Sequence, residues 1–341
     1  MSYTNSKVLF VAEVSANHNQ SLERAIEIVE KAAQAGATAV KLQTYTPDSM
    51  TLNISSGDFV VPAENRLWGG RSFYDLYQDA MTPWEWHKAL FDRTIELGMV
   101  PFSSPFDESA VDFLESLDCP IYKIAAFELV DLELIKYAAS TKKPMIISTG
   151  MGTLQEIADA VDTARLYGCT DLTLLKTTSS YPATPENSNL KTMVELQRIF
   201  EVKVGISDHT LGIGASVAAV ALGATVVEKH LTLRRLDGGV DSGFSMEPLE
   251  FEALVRESEV ARQAVGKIVF GPSSEDLPSL GFRRSLYVSK DVSAGDLLTR
   301  ENVRAVRPGF GMPVKLLNEV IGLSFTHDTL AGTPLSFDLF T

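Results

Sequence analysis

Apolar and amphipathic segments alternate regularly over about the first 265 residues. Short runs rich in Val, Ile, Leu and Phe have the length and composition of buried strands, and the longer segments between them carry apolar residues at helical spacing. The predicted strands are 7–14, 39–44, 100–104, 121–125, 144–148, 172–176, 204–207 and 226–230. The predicted helices are 22–35, 83–97, 108–117, 132–139, 154–167, 190–200, 214–222 and 248–264.

Residues at the predicted helix ends support these boundaries. Ser21 is a suitable N-cap for the first helix, and Gly36 follows its last residue. Thr82 and Pro83 are typical of a cap followed by a first-turn proline. Eight strands that each precede a helix predict an α/β protein with a (β/α)₈ TIM barrel. A doubly wound open sheet is the alternative, but polar residues after almost every strand favour the barrel.

Two segments depart from the alternation. Residues 46–81 form a long insertion after the second strand that is rich in aromatic residues, which predicts a lid or an interface. The pattern ends near residue 265, and 266–280 reads as a linker. Residues 281–341 contain short β-type runs separated by turn residues. The predicted domains are therefore a barrel at 1–265 and a small β-rich domain at 281–341, which is expected to dock on another surface.

Charge and cysteine usage restrict the possible partners and location. The chain of 341 residues has a formal net charge of −14, which disfavours binding to nucleic acid or to an anionic membrane surface. Its two cysteines belong to no CxxC motif and are expected to be buried, reduced thiols. The N-terminal apolar run at 8–14 is short and contains Glu13, so it does not resemble a signal peptide. A cytoplasmic location is predicted.

Two histidines lie at or just beyond the ends of the last two predicted barrel strands, His209 in GISDHT and His230 in EKHLT. Barrel enzymes place their chemistry at these strand ends. Neighbouring strands are about 4.8 Å apart, so both imidazoles could reach one metal ion. Two hydrogen-bonded structural histidines are the alternative. We predict that His209 and His230 bind a divalent ion.

Charged residues inside apolar strands indicate an anion site. Lys41 ends the second strand with Gln43 on the same face, and Lys123 lies within the fourth strand. A lysine in an apolar strand is unfavourable unless it has a partner, so the two are expected to bind phosphate and carboxylate, with exposure of their ends to solvent as the alternative. Glu13 ends strand one and Glu128 follows strand four. Each is a candidate metal-linked base, an acceptor for a sugar hydroxyl or a partner for a lysine. Hydroxyl-rich strand ends add further candidate ligands for phosphate oxygens, at Ser148, Ser179 and Ser207.

Taken in order, several segments resemble the sialic acid (nonulosonic acid) synthase family over almost the whole chain. They are AEVSANHN, VKLQTYTPDSM, FSSPFD, YKIAAFE, STGMGT, SSYPATPE, GISDHTLG, EKHLTLRR, GGVDSGFSMEP and VRPGFGMP. The resemblance implies condensation of phosphoenolpyruvate with an amino-sugar aldehyde, helped by a divalent ion such as Mn²⁺, Mg²⁺ or Co²⁺. It also implies that the C-terminal segment is an antifreeze-like (SAF) domain, which covers the partner's active site in a domain-swapped homodimer.

The resemblance also implies roles for individual residues. The metal-binding histidines fall on His209 and His230, and the active-site carboxylates fall on Glu13 and Glu128. The substrate-binding positions fall on Lys41, Gln43, Lys123, Tyr181, Ser207, Asp241 and Arg307, and the hydroxyl-rich strand ends add Ser148 and Ser179 as candidates. Within this set Tyr181 and Asp241 match sugar-pocket positions, and Arg307 matches the arginine that reaches a neighbouring subunit's sugar. His230 is expected to serve catalysis as well as metal binding.

Departures from the family pattern concern the sugar. The chain has TTSSYP at 177–182 where N-acetylneuraminate synthases carry CTNIYP, and Ala126 where they carry serine. The segments TPWEW, LWGG…FYDLY, GGVDSGFSMEP and RPGFG resemble a branch that uses a 6-deoxy diacetamido sugar. A family member that uses another nonulosonic acid precursor remains an alternative. A second alternative is a non-catalytic sugar- or ice-binding protein built around the C-terminal domain. The intact set of lysines, glutamates and histidines argues against this alternative.

Overall fold

A computed structural model describes residues 8–65 and 67–341 and divides the chain into two compact units, Met1–Gly266 and Lys267–Thr341. In the first unit eight parallel strands pair in sequence order, and β8 pairs with β1 to close a barrel. The strands are β1 Leu9–Glu13, β2 Ala39–Thr44, β3 Val100–Pro105, β4 Tyr122–Ile124, β5 Met145–Ser148, β6 Leu172–Thr177, β7 Lys203–Ser207 and β8 Val226–His230. The predicted (β/α)₈ barrel is confirmed, and the open-sheet alternative is wrong.

Helices alternate with the strands, and most of them pack their apolar faces around the barrel. They are α1 Leu22–Gln34, α2 Pro47–Met50, α3 Phe73–Ala80, α4 His87–Glu96, α5 Glu108–Ser116, α6 Leu132–Ser140, α7 Leu154–Leu166, α8 Lys191–Phe200, α9 Gly214–Ala221 and α10 Pro248–Val265. The predicted cap of α1 is present, because the Ser21 side chain accepts from the backbone N–H of Arg24. Within residues 8–65 and 67–341, none of the helices combines the length and the apolarity that a membrane crossing requires.

The predicted start of the helix at 83–97 was wrong. Pro83 is extended, with φ −53° and ψ 133°, and a 3₁₀ turn at Trp84–Trp86 precedes α4. Packing accounts for the difference, because the Trp84 ring stacks on Phe113 at 4.7 Å and its Nε1 donates to the Tyr45 carbonyl at 3.1 Å. Thr82 is therefore not the helix cap, and tertiary contacts outweigh the local sequence preference here.

The described residues of the insertion at 46–81 form local secondary structure. It contains α2, a 3₁₀ turn at Gly57–Phe59 and α3, and an antiparallel bridge joins Val60 to Ser72. Ser72 caps α3 by accepting from the backbone N–H of Asp75. These local interactions hold the aromatic insertion together near the C-terminal end of β2, the end of the barrel where active sites form.

The second unit has a core of its own. Two antiparallel strands, β9 Ser285–Val288 and β10 Val303–Val306, pair with each other, and one short helix, α11, spans Leu317–Val320. Its buried apolar residues are Leu286, Val288, Val292, Leu298, Val303, Met312, Val320, Phe325, Leu335, Leu339 and Phe340. The expected docking of this unit on another surface stays a prediction.

Candidate active site

Lys41 is the centre of a buried ion-pair network at the C-terminal ends of β1, β2 and β8. Its Nζ lies 2.8 Å from Glu13 Oε2 and 3.7 Å from Glu228 Oε1. Ser207 Oγ donates to the same Glu228 oxygen at 3.0 Å. Glu228 was not identified from the sequence. The available signal was its spacing, because residues two apart in a strand face the same side, and Glu228 lies two positions before His230 in β8.

The two carboxylates beside Lys41 titrate differently. Burial raises the pKa of Glu13 to about 7, even though Lys41 opposes the shift. Burial also acts on Glu228, but Lys41 and Lys123 outweigh it and hold the pKa of Glu228 below its ordinary value. Burial alone would lower the pKa of Lys41, but the two carboxylates hold that pKa above its ordinary value. Near neutral pH Glu13 can therefore exchange a proton while Glu228 and Lys41 remain charged.

Lys123 provides a second buried cation in the same end of the barrel. Its side chain is 1% exposed, and its Nζ donates to Ser148 Oγ at 2.7 Å and to the Ile124 carbonyl at 3.0 Å. Burial lowers the pKa of Lys123 to about 8. In the part of the chain that the structure describes, no carboxylate lies within ion-pair distance of this Nζ. A buried ammonium with a neighbouring hydroxyl and no direct counter-ion is suited to an anionic ligand.

Two polar side chains after β4 and β6 have no bonding partner. Glu128 Oε2 and Ser179 Oγ are buried without a hydrogen bond to any residue in 8–65 or 67–341. Burial raises the pKa of Glu128 to about 7. A Cβ at Gly150 would lie 2.5 Å from Ser179 Oγ, so a larger residue there would displace the serine hydroxyl. Both side chains are available to a ligand, as buried polar atoms otherwise find partners.

The paired histidines lie side by side, with ring centroids 5.4 Å apart. His209 Nδ1 donates to the Thr178 carbonyl at 3.0 Å, which leaves the lone pair on Nε2. His230 Nδ1 is buried without a hydrogen-bond partner among the described residues and lies 4.0 Å from Asp241 Oδ2. The structure thus brings the two predicted metal ligands together and supplies the backbone hydrogen bond that typically orients such a ligand.

The protonation state of the pair fits a divalent ion. Burial lowers the pKa of His209 and of His230, so both rings are neutral at pH 7, as metal coordination requires. Over 8–65 and 67–341, His, Cys, Asp and Glu form no group of three or more placed to hold an ion. An ion on these two nitrogens would draw its other ligands from water and substrate, which suits a catalytic site better than a structural one.

Asp241 connects the loop after β8 to the end of β1. Its Oδ2 accepts from Ser15 Oγ at 2.5 Å and from the Ala16 backbone N–H at 3.3 Å. Gln43 Nε2 in turn donates to Ser15 Oγ at 3.1 Å and to Glu13 Oε1 at 3.0 Å. Ser15 has φ +45°, an uncommon conformation for a residue with a side chain, and it was missed in the sequence. These contacts join the predicted sugar-pocket residue to the carboxylate of β1.

Aromatic rings line one side of the histidine pair. Tyr181 lies 4.5 Å from the His209 ring and 5.0 Å from the ring of Phe244, which was also missed in the sequence. Trp68 of the insertion lies 6.1 Å from Tyr181, and its Nε1 donates to the Val240 carbonyl at 3.0 Å. The insertion therefore contributes a ring to the site. This contact is compatible with the predicted lid, which stays a prediction.

The predicted site residues of the first unit occupy the same end of the barrel. Arg307 belongs to the second compact unit, where its side chain is exposed. Buried lysines, carboxylates with raised pKa and neutral paired histidines at the C-terminal end of a parallel barrel are together typical of an enzyme active site that takes an anionic substrate.

The chain belongs to the NeuB family, whose model matches residues 28–270. The SAF domain model matches residues 283–341. Membership of the nonulosonic acid synthases, predicted from the motifs, is confirmed.

Individual relatives share most of their length with this chain. The pseudaminic acid synthase of Helicobacter pylori is 44% identical over 329 residues, which cover 96% of each chain. The N,N'-diacetyllegionaminic acid synthase of Legionella pneumophila is 34% identical over 96% of this chain and 93% of its own. The crystal structure of N-acetylneuraminic acid synthetase from Leptospira borgpetersenii, in complex with citrate, matches with a TM-score of 0.71 and 29% identity, covering 81% of this chain and 90% of that one.

Proposed function

We propose that this protein is a pseudaminic acid synthase. The reaction condenses phosphoenolpyruvate with 2,4-diacetamido-2,4,6-trideoxy-L-altrose and releases phosphate. The observation that carries the proposal is the pair of buried lysines, Lys41 and Lys123, beside a carboxylate whose pKa is about 7 and two neutral histidines. The 44% identity to the Helicobacter pylori pseudaminic acid synthase and the four motif segments of that branch support the choice of sugar.

The lysines neutralise the charges of phosphoenolpyruvate. Lys123 Nζ and Ser148 Oγ form one group of donors. Lys41 is a second cation, next to the Glu228 oxygen that accepts from Ser207. Their ammonium groups are buried, so they act in a medium of low dielectric and need little reorganisation during the reaction. Gln43 and the two unpartnered groups, Glu128 and Ser179, are further donors or acceptors for substrate atoms.

The carboxylates handle the protons of the condensation. C3 of phosphoenolpyruvate attacks the sugar aldehyde at C1 to form the new carbon–carbon bond, and the aldehyde oxygen takes up a proton. A water molecule then adds to C2, loses a proton, and the C2–oxygen bond to phosphate breaks. Glu13 and Glu128 both have a pKa of about 7, so each can give or take a proton near neutral pH.

His209 and His230 would hold the divalent ion, Mn²⁺, Mg²⁺ or Co²⁺. Such an ion polarises a carbonyl oxygen as a Lewis acid and makes bound water more acidic. The chain positions the two rings through the Thr178 carbonyl and the packing of Phe244, which lies 4.9 Å from His230. Tyr181 and Asp241 lie beside them and form the adjoining part of the sugar pocket.

A comparison of sugars tests the proposal. Purified protein is supplied with phosphoenolpyruvate and, in separate reactions, the diacetamido-trideoxy-altrose, the N,N'-diacetyllegionaminic acid precursor and N-acetylmannosamine. Phosphate release should be fastest by far with the altrose. A preference for either other sugar would assign the protein to another synthase of the family. Absence of phosphate release with all three would favour the non-catalytic sugar-binding alternative.

The Michaelis constant for phosphoenolpyruvate is expected to rise as pH increases through about 8. Burial lowers the pKa of Lys123 to about 8, so its ammonium is charged below that pH and neutral above it. Lys123→Arg keeps the charge at high pH and should move this change to higher pH. A Michaelis constant that stays level from about pH 7 to pH 9 in the unmodified protein would mean that Lys123 does not bind the anion.

The active assembly is a domain-swapped homodimer in which Arg307 acts on the partner's sugar. Supporting observations are the SAF domain match at 283–341 and the exposure of Arg307. A 15-residue segment such as 266–280 spans up to about 50 Å when extended, which is enough to reach a neighbouring subunit. The planar guanidinium is suited to hydroxyl and amide oxygens of the sugar. A cytoplasmic location is part of the same proposal.

Mixed dimers are expected to recover activity that both parent proteins lack. Arg307→Ala and His209→Ala chains are co-expressed with different tags, and the mixed species is purified. One of its two sites has both an intact histidine and an intact partner arginine, so about half of the normal activity per dimer is expected. Activity no higher than that of the parents would show that Arg307 does not act across subunits. A monomer by light scattering would contradict the assembly directly.

A further inference from the structure

A second buried ion pair lies on the outer side of the barrel, directly behind the two histidines. Lys229 precedes His230 in β8, and Asp208 precedes His209 just after β7. Successive side chains of a strand point to opposite faces, so these two point away from the barrel interior. Lys229 Nζ lies 3.0 Å from Asp208 Oδ2, and both side chains are 1% exposed.

This pair closes the loop that carries His209. Lys229 Nζ also donates to the Thr210 carbonyl at 2.6 Å and to the Gly212 carbonyl at 3.0 Å, so all three ammonium protons have acceptors. Asp208 accepts from the Thr210 backbone N–H at 2.8 Å and from Ser216 Oγ at 2.6 Å. Lys229 therefore ties β8 to the loop after β7, and Asp208 ties that loop to α9.

We infer that Lys229 and Asp208 are positioning residues that fix the distance and orientation between His209 and His230. Neither touches the reacting groups from the outer face. The inference rests on the proposed metal role of the two histidines. Two features distinguish this pair from the other Lys–Asp pairs of the barrel. All three ammonium protons of Lys229 have acceptors, and each member of the pair directly precedes one of the two histidines. Lys203 and Asp171, for example, are 2.8 Å apart but 40% and 38% exposed.

The test compares two paired variants that remove the same charges at different places. Lys229→Met with Asp208→Asn removes the buried pair without leaving one charge alone in the interior, which single substitutions would do. Lys203→Met with Asp171→Asn is the matched control at the opposite end of β7. Chelator-treated proteins are titrated with Co²⁺, and binding is followed by visible absorption, with folding checked by circular dichroism.

The Lys229/Asp208 variant is expected to bind Co²⁺ about 10- to 100-fold more weakly, as is usual when groups that orient metal ligands are lost. The control pair should bind as the unmodified protein does. Ser216→Ala removes one hydrogen-bond donor to Asp208 and keeps both charges. It should weaken Co²⁺ binding by a smaller factor. If the paired variant does not fold, this single variant provides the test. Unchanged Co²⁺ affinity in the folded variants would overturn the inference.

Failure of the proposed metal role would give a different result. The unmodified protein would then bind no Co²⁺. In that case the positioning role is tested by comparing metal-free crystal structures of the unmodified protein and the paired variant. The inference requires that the paired variant loses the hydrogen bond from His209 to the Thr178 carbonyl and changes the 5.4 Å separation of the rings. An unaltered pair of rings in that variant would overturn it.

Discussion

Removing divalent ions is expected to abolish turnover, and adding Mn²⁺, Co²⁺ or Mg²⁺ should restore it. His209 and His230 are neutral, and their ring centroids are 5.4 Å apart. The Nδ1 of His209 donates to a backbone carbonyl, which leaves its Nε2 lone pair for a ligand, and the Nδ1 of His230 has no hydrogen-bond partner among the described residues. A Lewis acid supplies several kcal/mol to a carbonyl reaction, so the expected loss is at least about 100-fold. The measurement is phosphate release before and after treatment with a chelator, followed by titration with each ion.

Substitution of the histidines gives an independent form of this prediction. His209→Ala and His230→Ala should each be as inactive as the chelated protein and should not respond to added ions. His327→Ala is the control, because His327 is exposed in the second unit. Circular dichroism should show that all three variants are folded. Full turnover in metal-free buffer would refute the metal role.

Lys123→Met is expected to lower kcat/KM for phosphoenolpyruvate about 30- to 150-fold, which corresponds to about 2–3 kcal/mol of lost interaction energy. Methionine retains most of the side-chain volume and removes the charge. Glu13 and Glu228 keep their direct hydrogen-bond and ion-pair partners in this variant, because Lys123 donates to Ser148 and to a backbone carbonyl instead. The effect should therefore appear in catalysis and less in stability.

The control for this variant is Lys136→Met, which removes an exposed lysine that pairs with Glu133 within α6. Such surface pairs contribute little, so kinetics and stability should both stay near those of the unmodified protein. Steady-state rates are measured at several phosphoenolpyruvate concentrations with the sugar saturating. An unchanged Michaelis constant for phosphoenolpyruvate in Lys123→Met would mean that the lysine does not contact the anion.

The barrel could be predicted from the sequence because its determinants are local. Each strand is a short apolar run, and charged residues inside such runs, as at Lys41 and Lys123, identify positions that need a partner. Strand ends of a parallel barrel converge on one side, so the residues at those ends could be grouped without knowing any distance. The two histidines were identified in this way.

Other features depend on contacts between segments that are distant in sequence. Glu228 is partnered with Lys41 only because β8 pairs with β1 and β1 with β2. Ser15 acquires its role from Asp241, which is 226 positions away. The helix predicted from Pro83 begins later because Trp84 packs on Phe113. Local patterns carry no information about such pairings, which depend on strand register and tertiary packing.

The most direct test of the central claim is a mass spectrum of the product formed from phosphoenolpyruvate and 2,4-diacetamido-2,4,6-trideoxy-L-altrose. The proposed reaction predicts one new compound whose mass equals that of the sugar plus pyruvic acid, with one phosphate released for each molecule formed. Unreacted sugar alongside free pyruvate and phosphate would contradict the account, because it would mean that the site hydrolyses phosphoenolpyruvate without forming the carbon–carbon bond.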